Sequence, residues 1–248
     1  MDWTDDGIVL STRPHGEGSL VLSLLTVDRG RHAGLVRGGG SGRQRGMFQP
    51  GNLVRASWRA RLSEHLGNYS CELLQAHAAA YLEDPLKLSA LASACAVADG
   101  ALAEREPHPA VYEGLLALIG LLDSAVWAAA YVKWETGLLA DLGFGLDLSR
   151  CAATGLNDDL AYVSPRTGRA VSLSAGEPYR DRLLRLPGFL IGRGDDTPED
   201  ILHGLELTGF FLDRHVFGLN HKPLPAARIR FIDRLRQSAT ISGGGATE

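Results

Sequence analysis

The spacing of apolar residues changes character along this chain, and that change limits the folds open to it. Before residue 80, short runs alternate apolar with polar or basic residues, as in Asn52–Leu62, which is the period of a β-strand. After Pro85, apolar residues recur at helical spacing, as Trp127, Tyr131 and Trp134 do. The sequence therefore predicts an α+β multidomain protein in which a β-rich region precedes a helical one.

Short β-like runs fill residues 7–80 and are separated by turns that contain glycine or proline. They begin near Gly7, Ser19, Arg31, Asn52 and Tyr69. Five short strands in about 70 residues fit a small closed barrel of the OB type. Residues 1–80 are therefore interpreted as an OB-fold domain.

The other boundaries follow from where the helical period starts, breaks and returns. Residues 81–146 are interpreted as the first part of a helical bundle domain. Residues 191–240 form its second part, with Thr197 as an N-cap and Pro198 as the first helical residue. Frequent proline and glycine between them predict a small irregular module over residues 147–190. Residues 241–248 contain a run of glycine and are expected to form a flexible tail.

Charge is distributed very unevenly along the chain. The window from Arg29 to Arg61 contains no lysine, aspartate or glutamate, and its charged residues are Arg29, Arg31, Arg37, Arg43, Arg45, Arg55, Arg59 and Arg61. The whole chain carries a net charge of -4, so a window of +8 leaves -12 for the remainder. Because guanidinium forks suit phosphate oxygens and also stack on bases, these eight arginines are the predicted DNA-binding residues, and the OB-fold of residues 1–80 is the predicted DNA-binding domain. A solvated surface is the alternative interpretation.

Aromatic residues within this window bear on how a single strand would be held. The alternation of the strand places Arg55, Arg59 and Arg61 on one face and Trp58 on the other, so Trp58 is predicted to lie in the core. Phe48 is a possible stacking platform for a base. A secondary basic patch is predicted near the C-terminus, where half of the cations are expected to be ordinary helix-surface charges. Its members are Lys222, Arg228, Arg230 and Arg234.

Several sequence features argue against an enzyme and against a membrane or secreted protein. The glycine-rich segment after Arg37 lacks the lysine of a phosphate-binding loop, and no G-x-G-x-x-G, H-E-x-x-H or G-x-S-x-G pattern occurs. No catalytic residue, cofactor or metal ligand set is therefore predicted. Three unevenly spaced cysteines indicate a reducing compartment, and the acidic N-terminus does not resemble a signal peptide. The expectation is a cytoplasmic protein with no membrane span, present as a monomer.

Five local strings, taken in order, resemble the bacterial recombination mediator family RecO. They are Gly7–Ser19 (first strand and turn), Tyr131–Leu148 (helix and glycine turn), Arg150–Gly155 and Tyr162–Arg169 (a cysteine module) and Leu224–Phe231 (a C-terminal helix). The resemblance spans most of the chain. It implies an OB-fold, a helical domain and a zinc-finger-like insertion, without enzymatic turnover. It also implies binding of single- and double-stranded DNA, annealing of complementary strands, and assistance to RecA loading in gap repair. The implied partners are RecR and the C-terminal tail of single-stranded-DNA-binding protein.

The cysteine module departs from the family pattern. Some relatives carry paired C-x-x-C motifs that form a tetrahedral zinc site. Here Cys151 matches the first position, but Thr154 stands at the second, and the second pair falls near Ser172 and Ala175. The insertion is therefore predicted to be metal-free and held by the apolar residues Leu160, Tyr162, Val163, Val171 and Leu173.

Two other functions fit the same basic groove. A protein-interaction adaptor would use it for acidic peptide tails, because charge alone does not distinguish such a tail from a phosphate chain. An RNA-binding OB-fold protein is the other alternative.

Overall fold

The computed structural model describes residues 1–40 and 42–243, and a closed five-stranded barrel occupies its N-terminal part. The strands are β1 (Asp2–His15), β2 (Ser19–Thr26), β3 (Gly30–Val36), β4 (Leu53–Arg59) and β5 (Asn68–Gln75). Their order around the barrel is β1-β2-β3-β5-β4, and a parallel pairing of Leu35 with Asn68 closes it. This order is that of an OB-fold, so the predicted barrel is confirmed.

The first strand is longer than the sequence predicts. β1 begins at Asp2 because its first half pairs with β4, from Asp2 opposite Arg59 to Ile8 opposite Leu53. Its second half pairs with β2 as far as His15, after a β-bulge between Val9 and Ser11. A bulge bends a strand, so one strand can serve both neighbours and close the barrel.

The barrel core confirms the predicted orientation of β4. Val54, Ala56 and Trp58 are buried, whereas the residues between them are exposed. Trp58 packs with Tyr69 of β5 and donates its indole N–H to the carbonyl of Leu66 at 2.9 Å. The loop backbone lies against this ring, and a Cβ on the residue after Leu66 would overlap the indole nitrogen, so that position is a glycine with a positive φ.

Short turns and longer helices make up most of the rest. The helices are α1 (Gly42–Arg45), α2 (His77–Ala80), α3 (Pro85–Ala101), α4 (Pro109–Leu121), α5 (Trp127–Asp141), α6 (Leu173–Gly176), α7 (Pro198–Leu212) and α8 (Ala226–Gly243). Thr197 caps α7 as predicted, accepting from the N–H of Asp200 at 3.2 Å. A π-helical turn, Asp213–Phe217, follows α7. α8 continues to Gly243, so the start of the predicted tail is helical, and its residues 244–248 lie outside the described residues. No described helix is long and apolar enough to cross a membrane.

The middle of the outer barrel face is covered by α3. Asp99 of that helix accepts hydrogen bonds from the hydroxyls of Ser11 (2.8 Å) and Ser23 (2.6 Å), and its carboxylate lies 3.5 Å from the Arg31 guanidinium. In OB-folds the face of strands 2 and 3 often binds nucleic acid. In this chain α3 covers part of that face, so the strand ends and the outer face of β4 are the parts of the barrel open to a ligand.

The chain divides into two compact units. One contains Met1–Gly120 with Pro225–Phe231, and the other contains Leu121–Leu224 with the chain from Ile232 onwards. The first unit groups the barrel with α3 and α4, whereas the sequence-based division places a boundary at residue 80.

The second unit contains the small module between the two helical segments. Strands β6 (Leu160–Val163), β7 (Ala170–Ser172) and β8 (Leu184–Arg185) form a sheet in the order β7-β6-β8. Leu160, Tyr162, Val163 and Val171 are buried, as predicted. Leu173 was also expected to hold this module, but its side chain is 47% exposed because it starts the surface turn α6.

Candidate nucleic-acid interface

The outer face of β4 carries the first group of predicted arginines. Arg55 and Arg59 alternate with buried residues and are exposed. Arg61 does not share this strand face, because β4 ends at Arg59 and Arg61 lies in the following loop, also exposed. The predicted face of three arginines therefore consists of two on the strand and one beyond it.

Acidic residues from β1 lie opposite these strand arginines. The guanidinium of Arg55 donates two hydrogen bonds to the carboxylate of Asp6, at 2.8 and 3.1 Å. This hydrogen bonding raises the pKa of Arg55 above its ordinary value. Arg59 lies 3.7 Å from the carboxylate of Asp2. Although the window contains no acid along the chain, acids lie beside it in space, so both strand arginines on this face already have an ion pair.

Arg31 serves the fold and does not face solvent freely. Its Nε donates to the carbonyl of Leu102 at 2.9 Å, and the same guanidinium pairs with Asp99. Two partners from the helical part of the same unit hold this side chain, so a phosphate would have to compete with the existing pair to Asp99. The prediction that Arg31 binds DNA is therefore not supported by its surroundings.

Four arginines of the predicted set are exposed and have no ion pair with any described residue. These free arginines are Arg29, Arg37, Arg45 and Arg61. Arg29 follows β2, and Arg61 follows β4, near the strand ends where β1 begins. Arg37 follows β3, and Arg45 ends α1, on the side of the β1–β2 turn. β2 spans eight residues, so the two pairs lie about 25 Å apart along it. Arg43 belongs to the predicted set, but its side chain lies outside the described residues.

The segment that carries Arg37 and Arg45 is fixed at both ends to the barrel. The N–H of Gly40 donates to Gly18 of the β1–β2 turn at 3.1 Å. Buried Asn52 donates to the carbonyls of Gly46 and Met47 at 2.9 and 3.1 Å, and its side-chain oxygen accepts from the N–H of α2 residue Ala78. These contacts hold the segment beside a cavity of about 360 Å³ that Arg45 lines. Exposed Arg13 on β1 adds a cation near this end that the sequence analysis did not identify.

The aromatic residues occupy different positions from those predicted. Phe48 was a possible stacking platform, but its side chain is only 3% exposed and belongs to the barrel core. Its ring borders the cavity beside Arg45 but is almost fully covered, so it offers no exposed face on which a base could stack, and the structure does not support that prediction. Trp3 is half-buried at the barrel rim. The sequence analysis did not identify it as a candidate binding residue, because it lies in an acidic segment outside the arginine window. A tryptophan next to a strand end is the signal that would have found it.

The secondary basic patch is reduced by one member. Arg228 is only 2% exposed, which makes it a buried structural cation. Lys222, Arg230 and Arg234 are exposed. Because it is buried, Arg228 is not available to bind DNA, and the predicted patch is left with its three exposed members.

Comparisons with known proteins agree with this architecture. Residues 1–77 match the family model described as Recombination protein O N terminal, and residues 82–225 match Recombination protein O C terminal. The chain belongs to the RecO family. It is 62% identical to DNA repair protein RecO of Rhodospirillum centenum, over 98% of both chains. It is 50% identical to that of Rhodospirillum rubrum (96% of this chain, 97% of the relative) and 51% to that of Phenylobacterium zucineum (97% and 100%). The family membership predicted from the sequence is confirmed, and the general function that follows from it is DNA repair.

The RecO cysteine module has too few zinc ligands here. Cys151 is buried, and its sulfur accepts a hydrogen bond from the backbone N–H of Ser172 at 3.2 Å. Its thiol also donates to the Ser172 hydroxyl oxygen at 3.5 Å. Thr154 is exposed on the turn that follows Cys151. Across residues 1–40 and 42–243, no three His, Cys, Asp or Glu side chains are grouped as ligands of a metal ion. The residues present do not fit structural zinc, which needs four such ligands.

Zinc binding gives a direct test of this RecO module. We expect far less than one zinc per chain in the protein purified with zinc present, and no change in Tm on adding a chelator, since hydrogen bonds and apolar packing hold the module. The triple variant Thr154→Cys, Ser172→Cys, Ala175→Cys supplies the missing thiolates and is the positive control. Stoichiometric zinc in the unaltered protein, measured by elemental analysis, would contradict the prediction.

Proposed function

We propose that this RecO-family chain is a non-enzymatic recombination mediator that binds single- and double-stranded DNA and anneals complementary strands. In this proposal it assists RecA loading in gap repair together with RecR, and it binds the C-terminal tail of single-stranded-DNA-binding protein. It acts as a cytoplasmic monomer without a cofactor. The observation that carries the DNA-binding part is the set of free arginines at both ends of β2 and β3.

The mechanism is electrostatic. Two strands repel each other through their phosphates, and cations that bind one strand lower this repulsion and let the second approach. The free arginines offer forked donors that no described acid occupies, so they bind phosphates without first breaking an ion pair. Arg55 and Arg59 would have to exchange Asp6 and Asp2 for phosphate, and they therefore contribute less.

Salt titration tests the DNA-binding step. For a single strand, the slope of log K against log salt is about -0.7 per phosphate contact, so four contacts give a slope of about -3. Affinity for a labelled oligonucleotide should then fall about 50-fold between 50 and 200 mM salt. Fluorescence anisotropy measures this fall. A slope near zero would rule out the electrostatic mechanism.

The same assay separates the alternative functions. An adaptor for acidic tails would bind an acidic C-terminal peptide more tightly than an oligonucleotide at both salt concentrations. An RNA-binding protein would prefer RNA of the same sequence. Annealing of two complementary strands is a further step that neither alternative predicts. Energy transfer between labels on the ends of the two strands measures it.

Removing the acidic partners of β4 should strengthen DNA binding. The double variant Asp2→Asn, Asp6→Asn frees Arg55 and Arg59 and removes two like charges from the path of the strand. We expect affinity for a single strand to rise by up to about 25-fold at 0.1 M salt, since each of the two freed arginines releases a counterion and contributes about fivefold there.

The control for this variant removes the same charge elsewhere in the first unit. Glu83 and Glu113 are exposed on the helical side, so Glu83→Gln, Glu113→Gln changes net charge equally without freeing a β4 arginine. An equal rise in both variants would show that net charge alone, and not the pairing across β1 and β4, limits binding.

A further inference from the structure

A cavity of about 670 Å³ opens at the barrel rim, between the start of β1, the β2–β3 turn and the β4–β5 loop. Its lining includes Trp3, Arg29, His32, Trp58 and Arg105. This volume lies in the range of small-ligand sites. The whole cavity belongs to the first compact unit. It combines two tryptophan rings with cations, whereas the lining of the second barrel cavity, beside Arg45, contains the phenylalanine Phe48.

The aromatic floor of the cavity is rigidly built. Trp3 stacks on Trp58 with ring centroids 5.8 Å apart and planes 22° from parallel. His32 packs edge-on against both rings, at 5.0 and 5.1 Å. The Nδ1 atom of His32 lies 2.8 Å from the hydroxyl of Tyr69, which fixes the imidazole. Burial, with help from Arg105, lowers the pKa of His32 to about 4, so the ring is neutral at physiological pH. Trp58, His32 and Tyr69 are buried, which leaves Trp3 as the half-exposed ring of this cluster.

Cations lie beside this floor. The guanidinium carbon of Arg29 lies 6.0 Å from the centre of the Trp3 ring, and Arg29 is one of the free arginines. Arg105 donates to the carbonyls of Glu64 and His65, which fixes its charge at the cavity wall. Arg105 is held there by an unusual backbone, with a φ of 65° in the left-handed region. Asp28 and Asp2 also line the cavity, and Asp2 is paired with Arg59.

The spacing between Arg29 and Trp3 suits a planar group. Two flat surfaces in contact lie about 3.5 Å apart, so a plane inserted between them needs about 7 Å. The observed 6.0 Å is within about 1 Å of that, a shift that an exposed arginine side chain makes freely. Nucleobases are planar, and they stack on both tryptophan rings and guanidinium planes.

We propose that this cavity takes one unstacked nucleobase of a single strand, held between Trp3 and the guanidinium plane of Arg29. The proposal deepens the proposed function and rests on it. A duplex keeps its bases paired and stacked, so it offers none to the cavity. The pocket therefore distinguishes single from double strands, which the free arginines alone do not, because they recognise phosphates common to both.

The first test keeps the protein unaltered and changes the strand. An oligonucleotide of thymines is compared with an abasic strand of the same length, which has the same phosphates. We expect the abasic strand to bind about tenfold more weakly, as loss of one stacked base implies. One thymine restored within the abasic strand should recover most of that affinity. Tryptophan fluorescence should be quenched by the thymine strand and not by the abasic one.

Two substitutions locate the effect. Arg29→Lys keeps the positive charge but lacks the planar guanidinium. It should therefore lower affinity for the thymine strand about threefold and leave affinity for the abasic strand unchanged. Trp3→Ala should lower affinity for the thymine strand about tenfold and leave affinity for a duplex unchanged. Trp3→Phe should retain most of the affinity for the thymine strand. The control Tyr179→Ala removes an aromatic side chain that is 59% exposed in the second unit, and it should change nothing.

The outcomes separate this proposal from the proposed function. If the unaltered protein binds thymine and abasic strands equally, the pocket proposal is overturned while DNA binding stands. If it binds no strand at all, both are overturned. If Trp3→Ala weakens binding of an acidic peptide and not of a single strand, the cavity is a peptide site and the proposal is wrong. The comparison of strands does not depend on any variant folding, so equal binding of the two strands overturns the proposal whatever the variants do.

Discussion

Charge reversal of the four free arginines is expected to lower affinity for a single strand by about a thousandfold at 0.1 M salt. The substitutions are Arg29→Glu, Arg37→Glu, Arg45→Glu and Arg61→Glu. Each released counterion contributes about fivefold at this salt concentration, so loss of four contacts accounts for most of the effect. Repulsion between the new carboxylates and the phosphates supplies the rest.

The fold should survive this change, because all four side chains are exposed and none pairs with a described acid. Surface substitutions of this kind usually change the free energy of unfolding by less than about 0.5 kcal/mol each. Unchanged circular dichroism and Tm would establish that only binding is lost. Anisotropy with a labelled oligonucleotide then measures the affinity.

A matched variant controls for net charge. Arg150, Arg166, Arg180 and Arg182 are exposed in the second unit, and reversing all four changes the charge by the same amount. We expect that variant to bind within about tenfold of the unaltered protein, because long-range repulsion is screened over about 10 Å at this salt. Equal losses in the two variants would mean that the barrel ends are not the DNA-binding surface.

Local patterns in the sequence were sufficient to predict the barrel and the direction of its side chains. Alternation in β4 places Trp58 inside and Arg55 and Arg59 outside, because successive side chains point to opposite faces of a strand. The N-cap at Thr197 was equally predictable, since the cap and its partner are three residues apart. Both inferences depend on neighbours within a single element.

The pairing of charges was not predictable in this way. Asp6 and Arg55 are 49 residues apart, and they meet because β1 and β4 are neighbours in the closed barrel. Arg31 is neutralised by Asp99, which belongs to a helix that begins after the barrel is complete. A charge window counted along the chain shows neither contact. Of the seven arginines in the window whose side chains the structure describes, three are paired and four are free.

Phe48→Ala is expected to lower the free energy of unfolding of the barrel by about 3–5 kcal/mol, the usual loss for a buried phenylalanine. Phe48 packs in the core with Val9, Leu20 and Trp58, and its removal leaves a cavity among them. A typical domain has only about 5–15 kcal/mol of stability, so this is a severe loss. Urea denaturation followed by circular dichroism measures it. The same substitution at half-buried Phe210, in the second unit, should cost clearly less.

The conservative variant Phe48→Leu separates packing from stacking. Leucine fills most of the space, so we expect a loss of stability of about 1 kcal/mol. Its affinity for a single strand should stay within about twofold, because the ring has no open face for a base. A stacking platform would instead lose about 1–3 kcal/mol of binding on the same change. If Phe48→Leu lowered affinity for the thymine strand but not for the abasic strand, Phe48 would have to contact a base. The barrel would then have to open around this ring when DNA binds.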